Sequence, residues 1–187
     1  QVGGQHALDF APKAIIGAGT GLGVSGLFPV KAGRDQWVAI AGEGGHASLA
    51  AHNETEYRVI ELIRQRYGHV SAERVLSGQG LVDLYLALRQ LQQHEPIDVA
   101  SAADITHWAL KNKDPLALQS LDMFAGFLGS VAGDLALTLG ALGGVYLGGG
   151  VVPRWLGWFE TSVFRERFEA KGRFRDYLKD IPISASL

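Results

Sequence analysis

The stretch that decides the fold is Ala14-Ile15-Ile16-Gly17-Ala18-Gly19-Thr20-Gly21-Leu22-Gly23-Val24. The apolar residues Ala14 to Ile16 predict one short strand, and Val24 to Val30 predict a second. Between them, glycine recurs at every other position from 17 to 23, which weakens a strand but permits the backbone angles of a turn. The sequence therefore predicts two strands joined by a glycine turn.

A third strand and two capped helices follow this hairpin. Trp37 to Ile40 is the third strand candidate, and the short link before it implies antiparallel neighbours. Asn53 can cap a helix, and Glu56 three residues later suits a capping box. Ser71 can cap a short helix that Gly78 ends.

The rest of the chain alternates helices with strands. The remaining candidates are helices over 81–91, 101–111 and 115–139, a buried strand over 144–147, a basic helix over 164–178 and a strand over 181–186. This order resembles one lobe of the actin-like ATPase, or ribonuclease-H-like, fold. The resemblance implies an α/β lobe with a mixed sheet, in which three antiparallel strands are followed by parallel strands, and helices on both faces.

We expect residues 1–187 to form a single large lobe of a two-lobe protein. The chain opens on Gln1 and not on methionine, which agrees with a start inside a longer protein. By the resemblance to the actin-like lobe, a small N-terminal lobe and a C-terminal end are expected to lie outside the chain.

Composition narrows the class of protein. The 187 residues are 47% hydrophobic and 19% charged, with a net charge of −2, as is typical of a globular protein. No basic tract is present, so we expect no nucleic-acid partner. The lack of cysteine excludes disulfides and thiolate metal sites and fits a reducing cytoplasm. Glycines interrupt the apolar stretch Leu116–Pro153, so we interpret it as core and expect no membrane span.

The glycine tract is also the first candidate binding element. Such a loop exposes backbone N–H groups that can bind phosphate, and the Thr20 hydroxyl can add a donor. A Rossmann pattern would need glycine where Leu22 stands, and a Walker pattern would need lysine where Leu27 stands. The simple alternative is a hairpin turn, but four alternating glycines exceed what a turn requires.

Two acidic residues and a histidine are candidate ligands for a polyol. Glu43 and His46 lie in a glycine-rich loop after a predicted strand, and their side chains can accept or donate hydrogen bonds to vicinal hydroxyls. Glu73 lies in the first turn of a short helix, where the helix dipole alone favours a carboxylate. For each of the three, an ordinary solvated surface position is the alternative.

The last candidate is the run Gly148-Gly149-Gly150, which follows a predicted buried strand and precedes a helix start at Pro153. Ligands collect at such strand ends in α/β sheets. The alternative is a glycine-rich turn between strand and helix. We favour the close approach of a ligand.

In order and spacing, these stretches resemble the proteobacterial glucokinase family over nearly the whole chain. Residues 17–23 are similar to its phosphate loop, 42–46 to its sugar loop and 148–154 to its nucleotide segment, while 68–78 and 168–183 resemble further family segments. The resemblance implies that Glu43, His46 and Glu73 contact glucose hydroxyls, that Gly19, Thr20 and Gly21 approach the ATP phosphates, and that Gly148, Gly149 and Gly150 lie near the adenosine.

The resemblance further implies a cytoplasmic enzyme of glycolysis that uses ATP and Mg²⁺ to phosphorylate glucose at its 6-hydroxyl. The family's first phosphate motif and its catalytic Asp, which follows an Asn, have no match here, since neither Asn53 nor Asn112 precedes Asp. The chain alone is therefore expected to be inactive. A related repressor–kinase group normally adds a cysteine zinc cluster, and the lack of cysteine argues against that branch.

Three other functions stay open at this point: a non-catalytic sugar sensor, a kinase for another hexose, and an actin-like or chaperone ATPase lobe without a sugar site. Members of the resembled family often form homodimers, and the sequence does not fix the oligomeric state. Trp155 and Trp158 could serve an interface or the core, and we favour the core.

Overall fold

The computed structural model describes residues 4, 7–30, 36–99 and 101–185. The predicted loop Lys31–Asp35 and the predicted strand end at Ser186 lie outside these residues. The sheet has five strands in the order β3-β2-β1-β4-β5. These strands are β1 (Lys13–Ala18), β2 (Leu22–Pro29), β3 (Trp37–Gly42), β4 (Val145–Gly148) and β5 (Ile183–Ala185).

The strand directions confirm the predicted mixed sheet. β2 runs antiparallel to both β1 and β3. β4 runs parallel to β1 on one side and to β5 on the other. A strand that follows a long helical segment thus returns beside β1, as a parallel crossover requires.

Most of the glycine tract is strand and not turn, which corrects the prediction for residues 17–23. Gly17 pairs with Gly23 in β2 and with Gly148 in β4. Because β1 is hydrogen-bonded on both sides, its ladder extends through a residue of low strand propensity. The turn itself is reduced to Gly19–Gly21.

Eight helices lie within the described residues. They are α1 (Glu54–Tyr67), α2 (Ala72–Val75), α3 (Gly78–Leu91), α4 (Ala102–Leu110), α5 (Pro115–Leu139), α6 (Leu156–Phe159), α7 (Phe164–Glu169) and α8 (Arg175–Leu178). Short 3-10 turns occur at Gly44–His46, Val152–Trp155 and Gly172–Phe174.

The predicted helix caps are present, but one predicted helix end is wrong. The Asn53 side chain accepts from the Glu56 N–H at 2.9 Å, and Ser71 Oγ accepts from the Arg74 N–H at 3.1 Å. Gly78 does not end the second helix; it begins α3. The reason is a cap at Ser77, whose hydroxyl accepts from the Gly80 N–H at 3.0 Å.

The predicted basic helix over 164–178 is also wrong, because it is broken in the middle. α7 ends at Glu169, and Gly172 has a φ of +56°, which a helix does not allow. A 3-10 turn and α8 complete the stretch.

The long helix α5 is the centre of the core and packs against α3, α4, α7 and β1. Small residues let α7 approach it: a Cβ on Gly129 would lie 2.3 Å from Phe164 O, and one on Gly133 would lie 2.5 Å from Phe168 O. α5 is long and apolar enough to cross a membrane by length and composition alone. Its packing against helices and sheet confirms the interpretation as a core helix.

The two faces of the sheet differ in how far they are buried. Ala14, Ile16 and Ala18 of β1 are buried, whereas Ile15 and its neighbour Tyr146 are 39% and 36% exposed on the opposite face. The second helical layer expected on that face stays a prediction.

A buried ion pair joins the first helix to the seventh. The Arg167 guanidinium donates to both Glu56 carboxylate oxygens and to Ser130 Oγ. The same carboxylate accepts a hydrogen bond from the His52 N–H at 2.7 Å. In this capping box, the Glu56 side chain therefore bonds to the backbone of the residue before the N-cap Asn53. Glu56 therefore serves both as a cap and as the partner of a distant cation.

Replacing Arg167 with Met should destabilise the fold by about 3–5 kcal/mol, because it leaves the Glu56 carboxylate buried without its cation. Urea unfolding followed by circular dichroism measures this loss. Glu61 pairs with Arg64 on the exposed side of α1, so Glu61→Gln is the control and should cost less than about 1 kcal/mol. Equal losses in the two variants would contradict the role of the buried pair.

Candidate functional site

The loop that carries Glu43 and His46 is held from two sides. On one side, a Cβ on Gly45 would lie 2.2 Å from Leu22 O, so only glycine lets the loop lie against β2. On the other side, the Ala72 N–H donates to Ala47 O at 2.9 Å, which ties the end of the loop to the start of α2. Glu73 is the next residue of α2, so the loop and this helix are brought together by backbone contacts.

These contacts gather the three predicted polyol ligands into one cluster, which we call the Glu–His cluster (Glu43, His46 and Glu73). His46 Nε2 lies 3.7 Å from Glu73 Oε1 and 4.0 Å from Glu43 Oε2. The Glu43 side chain is 91% exposed and the Glu73 side chain 34%. Glu73 thus forms the base of the cluster, and Glu43 stands at its open side.

The Glu–His cluster lies directly against the glycine turn. Glu73 Oε2 accepts a hydrogen bond from the Leu22 N–H at 2.9 Å. A Cβ on Gly21 would lie 2.5 Å from the same oxygen. A side chain at position 21 would therefore displace the Glu73 carboxylate from its hydrogen bond with Leu22.

The turn has fewer free donors than its glycines suggest. The Gly19 N–H donates to Gly21 O at 2.8 Å, inside the turn, and the Gly78 N–H of α3 donates to Gly19 O at 2.9 Å. Among the described residues, the Thr20 and Gly21 amides form no hydrogen bond within the chain. These two amides and the exposed Thr20 hydroxyl are the groups that could bind an anion.

A cleft of about 560 Å³ opens beside the turn, at the C-terminal ends of β1 and β4. Its lining residues are Gly19, Thr20, Gly78, Gln79, Ala102, Thr106, Gly150, Val151, Arg154 and Trp155. Only some of the predicted nucleotide residues line it: Gly19, Thr20 and Gly150 do, whereas Gly21, Gly148 and Gly149 do not.

Gly149 has a structural role instead. Its φ is +85°, and a Cβ there would lie 2.2 Å from Ala18 O. The next residue but one, Val151, donates its N–H to the same carbonyl at 3.2 Å. The glycine run therefore bends the chain tightly over the end of β1, and this bend places Gly150 at the cleft.

Among the described residues, the lining of the cleft offers amides, hydroxyls and one guanidinium but no carboxylate. Within the described residues, no group of three or more Asp, Glu or His side chains is arranged to hold a metal ion. The residues present therefore do not form a site for Mg²⁺ by themselves. They suit a phosphate-bearing ligand whose own oxygens would carry the metal.

Residues 1–186 match the profile of the Glucokinase family. The chain belongs to the glucokinase family. It is 54% identical to the glucokinase of Neisseria meningitidis over 183 residues, which is 98% of this chain and 55% of that protein. It is 51% identical to the glucokinase of Chromobacterium violaceum over 98% of this chain and 51% of that protein. The chain thus spans about half the length of these curated relatives.

Solved structures agree with this membership. A glucokinase from an Antarctic psychrotroph superposes with a TM-score of 0.91 at 33% identity, over 100% of this chain and 56% of that one. A ROK-family glucokinase from Streptomyces griseus, solved with glucose and AMPPNP, has a TM-score of 0.62 at 20% identity, over 95% of this chain and 56% of that one. The latter similarity shows the fold alone, which is the actin-like ATPase fold that the order of elements predicted.

In this glucokinase-family chain, four polar side chains of the described cleft lining are not among the site residues predicted from the sequence: Gln79, Thr106, Arg154 and Trp155. Arg154 could have been found, because it is a cation four residues beyond the glycine run. Thr106 and Trp155 carry no local signal; they meet only in the fold, where Trp155 Nε1 donates to Thr106 Oγ1 at 3.2 Å. Trp155 is buried and Trp158 packs partly buried against the core, as predicted.

Gly149→Ala should destabilise the fold by at least about 1–2 kcal/mol, because alanine disfavours a left-handed backbone and its Cβ would overlap Ala18 O. Gly148→Ala is the matched control. A Cβ there meets nothing within 4 Å, so the change should stay below about 1 kcal/mol. Urea unfolding of both variants checks this, and a Gly149→Ala protein as stable as the Gly148→Ala protein would refute the tight bend.

Proposed function

We propose that this chain is the large lobe of an ATP-dependent glucokinase, which transfers the γ-phosphoryl group of ATP to the 6-hydroxyl of glucose. The observation that carries the proposal is the contact between the Glu–His cluster and the glycine turn. A polyol on the cluster and a phosphate at the turn would lie side by side, as transfer between them requires. The matching relatives are about twice as long as this chain, so the whole activity belongs to the longer protein.

The Glu–His cluster supplies the sugar side of the proposed site. Two carboxylates accept hydrogen bonds from hydroxyls, and the imidazole between them donates or accepts. Such a set rejects analogues that lack a hydroxyl, because its polar groups would then stay unpaired. A glucokinase from Balamuthia mandrillaris of the same fold was solved in complex with glucose, which supports glucose as the sugar for this chain.

The turn and the cleft supply the nucleotide side. The Thr20 and Gly21 amides and the Thr20 hydroxyl would bind phosphate oxygens, and the cleft beyond Gly150 would take the adenosine. Arg154 adds a positive charge that favours an anionic ligand. Gly149 would act through the bend that it forms and not through contact with the nucleotide, and Gly148 would act as the last residue of β4 before that bend. Mg²⁺ would travel with ATP and neutralise the phosphate charge.

In the proposed reaction, the sugar oxygen forms a bond to the γ-phosphorus while the bond from that phosphorus to the bridging oxygen breaks, and ADP leaves. The hydroxyl proton passes to a base that we expect in the part of the protein outside this chain, as an Asp. The residues of this chain bind and orient the two substrates. Positioning and charge stabilisation dominate such transfers.

Residues 1–187 alone should show no glucose phosphorylation, whereas the full-length protein that contains them should phosphorylate glucose with ATP. The reason is that loss of a general base alone typically costs about 10²–10⁴ in rate, and we expect the opposite wall of the cleft to lie outside this chain as well. A coupled assay for glucose 6-phosphate on both proteins measures this. Turnover by the chain alone would contradict the placement of the base, and inactivity of the full-length protein on every hexose would favour the sugar sensor.

Glu43→Gln in the full-length protein should weaken glucose binding roughly 10–150-fold, which corresponds to one lost charge-assisted hydrogen bond of about 1.5–3 kcal/mol. Isothermal titration calorimetry with glucose measures it. Glu54→Gln, on the exposed first turn of α1, is the matched control and should bind as the wild type does. If Glu43→Gln binds glucose with unchanged affinity, Glu43 is not a sugar ligand.

The remaining expectations are part of the same proposal. We propose a cytoplasmic enzyme with glucose and ATP as its ligands and no nucleic-acid or membrane partner. Whether it works as a homodimer is decided by sedimentation of the full-length protein. A comparison of kcat/KM for glucose with that for other hexoses decides the sugar specificity.

A further inference from the structure

Among the described residues, Glu73 is the one member of the Glu–His cluster that forms a hydrogen bond at the end of the glycine turn. Its Oε1 lies 3.7 Å from His46 Nε2, and its Oε2 accepts from the Leu22 N–H at 2.9 Å. Leu22 follows directly on Gly21, whose amide is one of the two free donors of the turn. A single planar group therefore touches the sugar side of the site with one oxygen and the phosphate side with the other.

From this geometry we infer that Glu73 is a positioning residue that couples the two substrates, so that glucose on the Glu–His cluster tightens nucleotide binding at the turn. The inference rests on the proposed function, because it needs both ligands to bind where that proposal places them. The inference goes beyond the proposed function because it assigns the coupling to the hydrogen bond between Leu22 and Glu73.

The coupling arises because the two ligands share the entropic cost of ordering the same groups of the protein. The Glu73 carboxylate is one-third exposed and can rotate about its side-chain bonds. When it rotates, the Leu22 N–H loses its hydrogen-bond acceptor. A sugar hydroxyl that binds Oε1 fixes the carboxylate plane and keeps Oε2 on Leu22. The Gly21 amide is then held in place for a phosphate, and the second ligand no longer has to order it.

Two features show that the contact is built into the site. Glu73 is fixed by its position in the first turn of α2, beside the backbone bond between Ala72 and Ala47. Gly21 leaves the space that the carboxylate fills, and its φ is not in the left-handed region, so the backbone itself would accept alanine. A Cβ at position 21 would thus push the Glu73 carboxylate away from Leu22.

The experiment is a calorimetric cycle on the full-length protein with glucose and the non-hydrolysable analogue AMPPNP. The coupling factor is the Kd for AMPPNP without glucose divided by the Kd with saturating glucose. By linkage, the same factor relates the two Kd values for glucose. In the wild type we expect a factor of at least about five.

Three variants separate the coupling from sugar binding itself. Glu73→Ala removes the carboxylate, and Gly21→Ala pushes it away from Leu22 by the overlap of the new Cβ; in both, the factor should fall below about two. Glu43→Gln is the matched control, because Glu43 belongs to the Glu–His cluster but, within the part of the chain that the structure describes, makes no hydrogen bond to the turn. It should weaken glucose binding and keep the wild-type factor.

The outcomes distinguish failure of the coupling inference from failure of the proposed function on which it rests. If the wild type binds no glucose, the proposed function fails. If it binds both ligands with a factor near one, only the coupling fails. Coupling that persists in Gly21→Ala or Glu73→Ala, or that disappears equally in Glu43→Gln, also overturns the role of Glu73. Should Glu73→Ala not fold, as judged by urea unfolding, Gly21→Ala carries the test alone.

Discussion

Direct contact between backbones is the constraint on which this structure depends. The bend after β4 lies on Ala18, the loop after β3 lies on Leu22, and α7 lies on α5, each at a distance that leaves no room for a Cβ. Glycine stands at each of these points, at positions 149, 45 and 129. The site is therefore assembled by main-chain packing, and its side chains are placed by backbones that cannot move apart without losing these contacts.

This packing explains why a polar site of few residues can be formed from three separate elements. The Glu–His cluster requires the loop after β3, the first turn of α2 and the start of β2 to lie close together. Backbone hydrogen bonds to Ala47 O and Gly19 O hold these elements in place. The helix α3 begins at the glycine turn and directs the positive end of its dipole toward it, which favours an anion at the same place.

Much of this arrangement could be predicted from the sequence, and the failures have physical causes. Apolar runs identified the strands and α5, and polar residues at helix starts identified the caps at Asn53 and Ser71. Gly78 was misplaced because glycine is common after a helix end, whereas here the Ser77 cap starts a new helix. The low strand propensity of Gly17 was outweighed by hydrogen bonds to strands on both sides of it. The pairing of Glu56 with Arg167 has no local signal at all, since only the folded chain brings α1 beside α7.

That ion pair also has a consequence for how the chain is made. Its two residues are 111 positions apart, so a ribosome that adds roughly 5–20 residues per second needs roughly 5–20 s to pass from one to the other. During that interval the first helix carries a carboxylate whose cation has not been synthesised, and water must solvate it. The nascent α1 can therefore form this ion pair only after the seventh helix has left the ribosomal tunnel.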